Sequence, residues 1–471
     1  MTNKSNSKNF IWKPMVSLAL VLTMALTFTS CNDDDDDEVM LDNIVTIAQG
    51  NSNLSILVSA LTKFPDLVSA LQADGTYTVF APNNAAFTAL LGVIGQESLD
   101  DIPEPVLRRV LEYHVLASKV ASTDLTDGQT AGTLLTGESI EVGVGSGVTI
   151  NGANVVTANV EASNGIVHIV DAVLVPSLEA SIVNTVVEPA YFNKDFSILT
   201  AAVVKADLVG TLINKDASFT VFAPTNEAFE AAGITSIDGL DADALTPILL
   251  YHVLGAEVTA ADLPATGSAV TSLGGDFYLS INENGVFING STQVIATDIS
   301  ADNGVVHVVD RTLVPPTQNI VEVAIASTEA GTPEFTQLVA ALVKVSNDPS
   351  GADLVATLSD PDGNFTVFAP TDVAFAALYE ALDVTGVDEI DVATLQAVLT
   401  YHVVSGARIL STDLPNLTSG TVGTVNGGTF ELDPTTATID DNGSTSITDI
   451  TATDILATNG VIHVIDKVIL P

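Results

Sequence analysis

Apolar positions run through this chain in three rounds of the same order. Leu54, Leu57, Val58 and Leu61 keep the spacing of a helix that buries one face, and Phe196, Leu199 and Val203, then Phe335, Leu338, Val339 and Leu342, repeat it. Short second helices are predicted from Asp66, Asp207 and Asp353, each standing before Leu-Val as an N-cap. A β-rich run follows at Thr78–Pro82, Thr220–Pro224 and Thr366–Pro370. It reads Thr-Val-Phe-Ala-Pro each time and predicts a buried strand that stops at proline. Asn83, Thr225 and Thr371 then cap a helix carrying Phe87, Phe229 or Phe375. The most regular helix places Leu107, Val110, Leu111 and His114 on one stripe, repeated by Leu245, Ile248, Leu249 and His252 and by Leu395, Val398, Leu399 and His402. That stripe faces a core, so each Tyr-His histidine is expected to be buried or half-buried.

The second half of each round is β-rich. Alternating runs such as Ser139–Val144, Val148–Ile150 and Val155–Val160 are separated by Gly, Asn and Asp turns. Each round closes on Asn-Gly-x-x-His: Asn164 to Asp171, Asn303 to Asp310 and Asn459 to Asp466. Asn-Gly signals a tight turn, and the strand after it is apolar on both faces, as central strands are. Apolar tails then end at Pro176, Pro315 and Pro471. The period divides the chain into modules 41–176, 178–315 and 319–471. Module three differs by an insertion around Val345–Gly351 and by lacking the Ile-Asn-Gly of Ile150–Gly152 and Ile288–Gly290. A helix-like stretch, Leu178–Val186, and the few residues between Pro315 and Asn319 make short linkers, which predict a stiff rod.

Ahead of the modules, residues 1–30 read as an export signal. Lys4, Lys8 and Lys13 precede an apolar stretch from Met15 to Phe28 that is too short to span a bilayer comfortably. The lone cysteine, Cys31, follows. The segment resembles a bacterial lipoprotein signal, which implies lipid on Cys31; Phe28 stands where an aliphatic residue is commoner. An ordinary cleaved signal with an incidental thiol is the alternative. Two or three acyl chains at about 0.8 kcal/mol per buried methylene make a firm anchor. The acidic run from Asn32 to Glu38 stays solvated, so 31–40 reads as a tether. It also resembles an acidic tag that sends lipoproteins to the outer face of the outer membrane. A lipid-anchored, surface-exposed location follows as the expectation.

Charge narrows the partners. With 14 basic and 58 acidic residues the formal charge is -44, a field that repels phosphate backbones and excludes nucleic acid. Modules of roughly 140 residues bury enough surface to fold without staples, and one cysteine permits no internal disulfide. All six histidines lie in the Tyr-His or Asn-Gly-x-x-His segments. His168 and Asp171 are three apart on a predicted strand, so they point to opposite sides. Two histidines per module and no cysteine fall short of a zinc site. His168, His307 and His463, like the Tyr-His histidines, therefore read as framework residues, with no catalytic residue, metal or cofactor assigned. Gly143–Gly147 precedes a strand rather than a helix and is a turn, not a phosphate loop. Asp360–Asn364 and Asp440–Gly443 are plain turns or weak calcium loops, since they lack the spacing of an EF-hand.

Taken together, Thr-Val-Phe-Ala-Pro-(Asn/Thr)-x-x-Ala-Phe, the central Tyr-His and the Asn-Gly-x-(Val/Ile)-His-(Val/Ile)-(Val/Ile)-Asp segment resemble the fasciclin (FAS1) domain, three times over. The resemblance implies an α+β fold: each module a wedge of two β-sheets with helices packed around it. It implies an extracellular adhesion role through proteins or glycans, without catalysis. It also implies a possible adhesion surface at Tyr113-His114, Tyr251-His252 and Tyr401-His402. A surface lipoprotein that binds extracellular protein or polysaccharide is the expectation; a passive envelope spacer and a glycan-capture protein are the alternatives.

Overall fold

The computed structural model describes residues 41–332, 334–416, 420–433, 435–441 and 447–471. The predicted signal, Cys31 and the acidic tether lie outside the described residues, as do residues 442–446.

Module one begins with helices α1 (Ile44–Gly50), α2 (Ser55–Thr62) and α3 (Pro65–Gln72), and then enters strand β1 (Tyr77–Pro82). Helices α4 (Asn84–Val93) and α5 (Glu104–Tyr113) follow, before strands β2 (Val115–Leu116), β3 (Thr130–Gly132), β4 (Ser139–Val144), β5 (Val148–Ile150), β6 (Ala153–Ala162) and β7 (Gly165–Val170). The seven strands hydrogen-bond in the order β2-β1-β7-β6-β5-β4-β3, with β1 and β7 parallel. Modules two and three keep this order, pairing Phe219–Pro224 with Gly304–Val309 and Phe365–Pro370 with Gly460–Ile465 in parallel. The two motif strands are thus interior neighbours, second and third from one end of each strand order, and are buried along nearly all their length. Their apolar runs reflect burial on both faces.

Alternation along β1 divides the core. Val79 and Ala81 pack with the helices, whereas Phe80 packs with Ile140 and Val142 of β4 and Ile150 of β5. The far end of the strand order therefore faces the central strands, and the two sheets of the wedge are two ends of one order. Register shifts in β6, between Val155 and Thr157 and between Thr157 and Val160, mark where the ribbon bends.

Capping explains most helix starts. Asn83, Thr225 and Thr371 each accept a backbone N–H three residues on. Of the three aspartates read as N-caps, Asp353 alone has that role, accepting from the Ala356 N–H at 2.9 Å. Asp66 lies inside α3 behind Pro65 and pairs with Arg108 of α5 instead, at 2.5 Å. Asp207 takes a left-handed backbone (φ 55°), and Leu208 precedes the one-turn helix Val209–Leu212. The helix-like linker is likewise shorter than expected. Helix α6 (Ser177–Ile182) stops before Asn184, whose left-handed φ of 63° breaks the run.

Modules one and two share one continuous helix-side core, running from Ile44 through Ile182 and Tyr191 to Val308. The second joint is polar. Ser280 donates to Asp413 at 2.5 Å, Asn282 donates to the Thr412 carbonyl, and the Arg408 guanidinium lies 4.3 Å from the Tyr278 ring centre.

Candidate functional site

Each Tyr-His pair ends a helix. His114 follows the last turn of α5 and is fully buried; its Nδ1 lies 2.6 Å from the Val110 carbonyl, and the Leu174 N–H donates to its Nε2 at 2.8 Å. Since a backbone N–H can only donate, Nε2 is the acceptor and Nδ1 carries the proton. The ring therefore rivets the helix end to the apolar tail of the module. His252 repeats this between Ile248 and Leu313, and His402 between Val398 and Ile469. Burial pushes all three imidazoles down to about 4, against a smaller opposing effect of the carbonyl contact. The tyrosines are buried as well. Tyr113 donates to the Ser139 carbonyl and accepts from Asn151, and Tyr251 does the same with Asp276 and Asn289. Module three lacks that asparagine, and the Tyr401 hydroxyl lies between the Thr429 and Asp441 carbonyls. Burial raises these phenols, Tyr251 to about 12. The Tyr-His side chains thus offer no surface for direct contact in the folded state.

The second histidine takes the opposite tautomer. His168 sits on β7 opposite the bulge of β6, where Asn159 has a left-handed backbone (φ 60°). The bulge leaves the Asn159 N–H outside the ladder, and it donates to Nδ1 of His168 at 3.3 Å. The other nitrogen, Nε2, donates to the Val120 carbonyl at 3.0 Å. His307 and His463 do the same with Asp298 and Val258, and with Asp454 and Ile409. Each ring also lies against the phenylalanine of the β1-type strand: Phe80, Phe222 or Phe368. The bulge residue had a signal in the sequence, an Asn or Asp nine positions before every such histidine. Its side chain then clips the next loop, as Asn159 Oδ1 accepts from the Ser122 N–H.

The remaining motif residues are also clips. Asn164 accepts from the Ile44 N–H and donates to the Leu71 and Ala73 carbonyls, and Asn303 and Asn459 repeat the set. Gly165 is required by crowding: a Cβ there would lie 2.2 Å from the Tyr77 carbonyl oxygen on the parallel strand. Thr78 donates to the Ser118 carbonyl and accepts from the Val120 N–H. Asp171 holds Asn154 across the sheet and does not meet His168.

With both ring nitrogens of every histidine engaged, no base is poised beside a nucleophile in these segments. Among the described residues, no three His, Cys, Asp or Glu side chains converge as metal ligands. In the Asp360–Asn364 turn, the Arg408 Nε–H donates to Asn364 Oδ1 at 3.1 Å, so a guanidinium stands at one of its oxygens. Asp440 ends the strand Thr438–Asp440, Asp441 Oδ2 accepts from the Leu470 N–H, and Asn442 and Gly443 lie outside the described residues. Within the modules the cavities are small and apolar, about 20–40 Å³, and more concave space lies between modules. The first joint forms an open cleft of about 600 Å³, with walls drawn from Gly92–Gln96, from Asn184, Thr185, Glu188, Pro189, Asn193 and Phe196, and from Ile299–Asp302. A smaller one of about 210 Å³ lies at the second joint beside Tyr278 and Arg408.

A family model of the fasciclin domain matches residues 52–176, 194–315 and 333–471. Periostin of Homo sapiens is 28% identical over 313 residues, 65% of this chain and 35% of that protein. The cell surface glycolipoprotein MPB83 of Mycobacterium bovis is 39% identical over 140 residues, 29% of this chain and 61% of that protein. A solved FAS1 domain pair from the insect cell adhesion molecule Fasciclin I is similar at 19% identity and a TM-score of 0.28, over 58% of this chain and 92% of that one. The chain spans 35% of the length of periostin and 35–38% of the ig-h3 proteins it also matches. With the domain found three times over most of its length, the chain belongs to the fasciclin domain family.

Proposed function

We propose that this chain is a non-catalytic adhesion or matrix-binding protein of the cell surface, held to the outer membrane by lipid on Cys31. One observation carries the reading. In all three modules the motif side chains are turned inward and tied to backbone groups, so repetition preserves a shape and leaves recognition to the surfaces between motifs. The surface location and the tether are supported by a relative named as a cell surface glycolipoprotein. The partner is an extracellular protein or polysaccharide, and the formal charge of -44 disfavours nucleic acid.

The test is a pull-down with the full chain against matrix proteins and polysaccharides, with and without calcium, together with mass spectrometry of the mature N-terminus. Saturable capture and a diacylglyceryl-modified Cys31 are expected. Capture of neither class at either calcium level would favour a passive spacer, a reading to which the continuous core of modules one and two also lends support. An unmodified Cys31 would remove the tether.

A further inference from the structure

We propose that the cleft between modules one and two binds a neutral saccharide unit of a polysaccharide. This rests on the adhesion reading above and names its ligand class and its site. At about 600 Å³ the cleft lies within the roughly 300–1,000 Å³ range of small-ligand sites. Its walls come from two modules held in fixed relation by a shared core, by the Arg109–Glu179 ion pair and by Lys194, which donates to the Asp100 carbonyl at 3.0 Å. Preformed walls lower the ordering cost of binding.

The lining selects the chemistry. Gln96 and Asn184 bring side-chain amides, Ser300 a hydroxyl, and Glu188 and Asp302 carboxylates. Donors and acceptors so interleaved match the paired hydroxyls of a sugar ring. Beside them Val93, an apolar side chain left 60% exposed at the end of α4, joins Pro189 and Ile299 as a ledge for the C–H face of a pyranose. The described lining carries two carboxylates and no cation, and the adjacent Lys215 is already paired with Asp302, so a phosphate, sulfate or uronate meets like charge there. A cationic peptide fits less well than a sugar. Asp302 is already paired with Lys215 at 3.0 Å, and Glu188 already accepts the Asn184 N–H and is held above the usual carboxylate range by burial. An acyl chain would need an apolar enclosure, which these mixed walls do not make.

The experiment is a glycan array with the full chain, carrying neutral, uronate and sulfated oligosaccharides, beside a lysine-rich peptide. It compares the unaltered chain with Val93→Trp and Ser300→Tyr, which fill the cleft from exposed positions, and with Val373→Trp, an equally drastic change at a 76% exposed site in module three. Neutral oligosaccharide binding should fall at least tenfold in either cleft variant and persist in Val373→Trp, with unchanged melting temperatures. Absence of neutral-sugar binding, binding indifferent to both cleft substitutions, or preference for acidic sugars or the peptide overturns the proposal. Continued capture of matrix protein in those cases leaves the adhesion reading standing, whereas loss of all capture by the unaltered chain removes both.

Discussion

Glu179 is the most informative place to perturb this molecule. Its carboxylate is 0% exposed on the linking helix, yet its partners come from both sides of the joint. Oε1 accepts from Nε of Arg109 on α5 at 2.6 Å and from the Tyr191 hydroxyl of module two at 3.2 Å. Oε2 has no hydrogen-bond partner among the described residues. Burial and the adjacent carboxylate hold the Tyr191 phenol protonated far above its ordinary range, so it remains a donor. Removing one partner of a buried pair costs about 3–5 kcal/mol, because the other charge is left without compensation. The Arg109 side chain is 36% exposed, so water reaches the guanidinium and screens the pair. The expected cost of Arg109→Ala is therefore at the low end, about 3 kcal/mol. At about 2–4 °C per kcal/mol for a unit of this size, the transition involving modules one and two should fall by about 6–12 °C.

The decisive measurement is a double-mutant cycle with Glu179→Gln, followed by urea unfolding of the full chain. Glutamine keeps an acceptor for Arg109 and Tyr191 and removes the buried charge, so the double variant should recover most of what Arg109→Ala loses. A loss below about 0.5 kcal/mol for Arg109→Ala, or strict additivity in the cycle, would refute the argument that this carboxylate depends on its guanidinium.

Acid should loosen all three modules together. His114, His252 and His402 stay neutral when folded down to about 4 but titrate near 6.5 when unfolded. The unfolded chain thus binds more protons between those values, and stability is full above pH 6.5 and lost on acidification to about 4, by about 3 kcal/mol per histidine. Urea midpoints at pH 7, 5.5 and 4.5 check this, and a flat profile contradicts it. Gly165→Ala drives a methyl into the Tyr77 carbonyl and should cost more than about 3 kcal/mol, whereas Gly92→Ala, with open space around it in α4, should gain up to about 1 kcal/mol. Thermal melts of the pair give opposite signs or sink the steric reading. Asn159→Ala should cost about 1–2 kcal/mol, from a strained left-handed backbone and a lost clip to Ser122, and Asn159→Gly less, by the same melt.

How far the sequence reaches is set by the range of each interaction. Patterns read over one element survived: the Leu107–His114 stripe, the caps at Asn83, Thr225 and Thr371, and the apolar strands all depend on neighbours within a few residues. Where a tertiary partner competes with a local one, the local reading failed. Asp66 is a good cap by type, but Arg108, 42 residues away, takes its carboxylate. Asn164-Gly165 does stand at the tight turn between β6 and β7, as its type predicts, but the local pattern gave no sign that its asparagine also bonds to three backbone groups 91 to 120 residues away. The Glu179 joint was not legible at all, since nothing in Leu178–Ile182 distinguishes a buried carboxylate from a solvated one. Its partner lies 70 residues upstream.

The three copies also show what is free to vary. Every interior bond of the histidines ends on a backbone atom, and backbone positions are fixed by the fold whatever side chain they carry. One position on the surface side of that frame, just before Val120, Val258 and Ile409, has no such constraint. It is Lys119 in module one, paired with Glu161; Glu257 in module two; and Arg408 in module three, placed over Tyr278 of the neighbouring module. There the arginine bonds to the Ala457 and Thr458 carbonyls and to Asn364, while burial lowers its proton affinity. The same backbone site thus serves as a surface ion pair in one copy and as part of a joint in another. Joints between modules are where copies of one fold acquire different chemistry, and that is also where the two intermodule clefts lie. A recognition site built there needs no change to the motif residues, which is why the most repeated residues of this chain are the least informative about its partner.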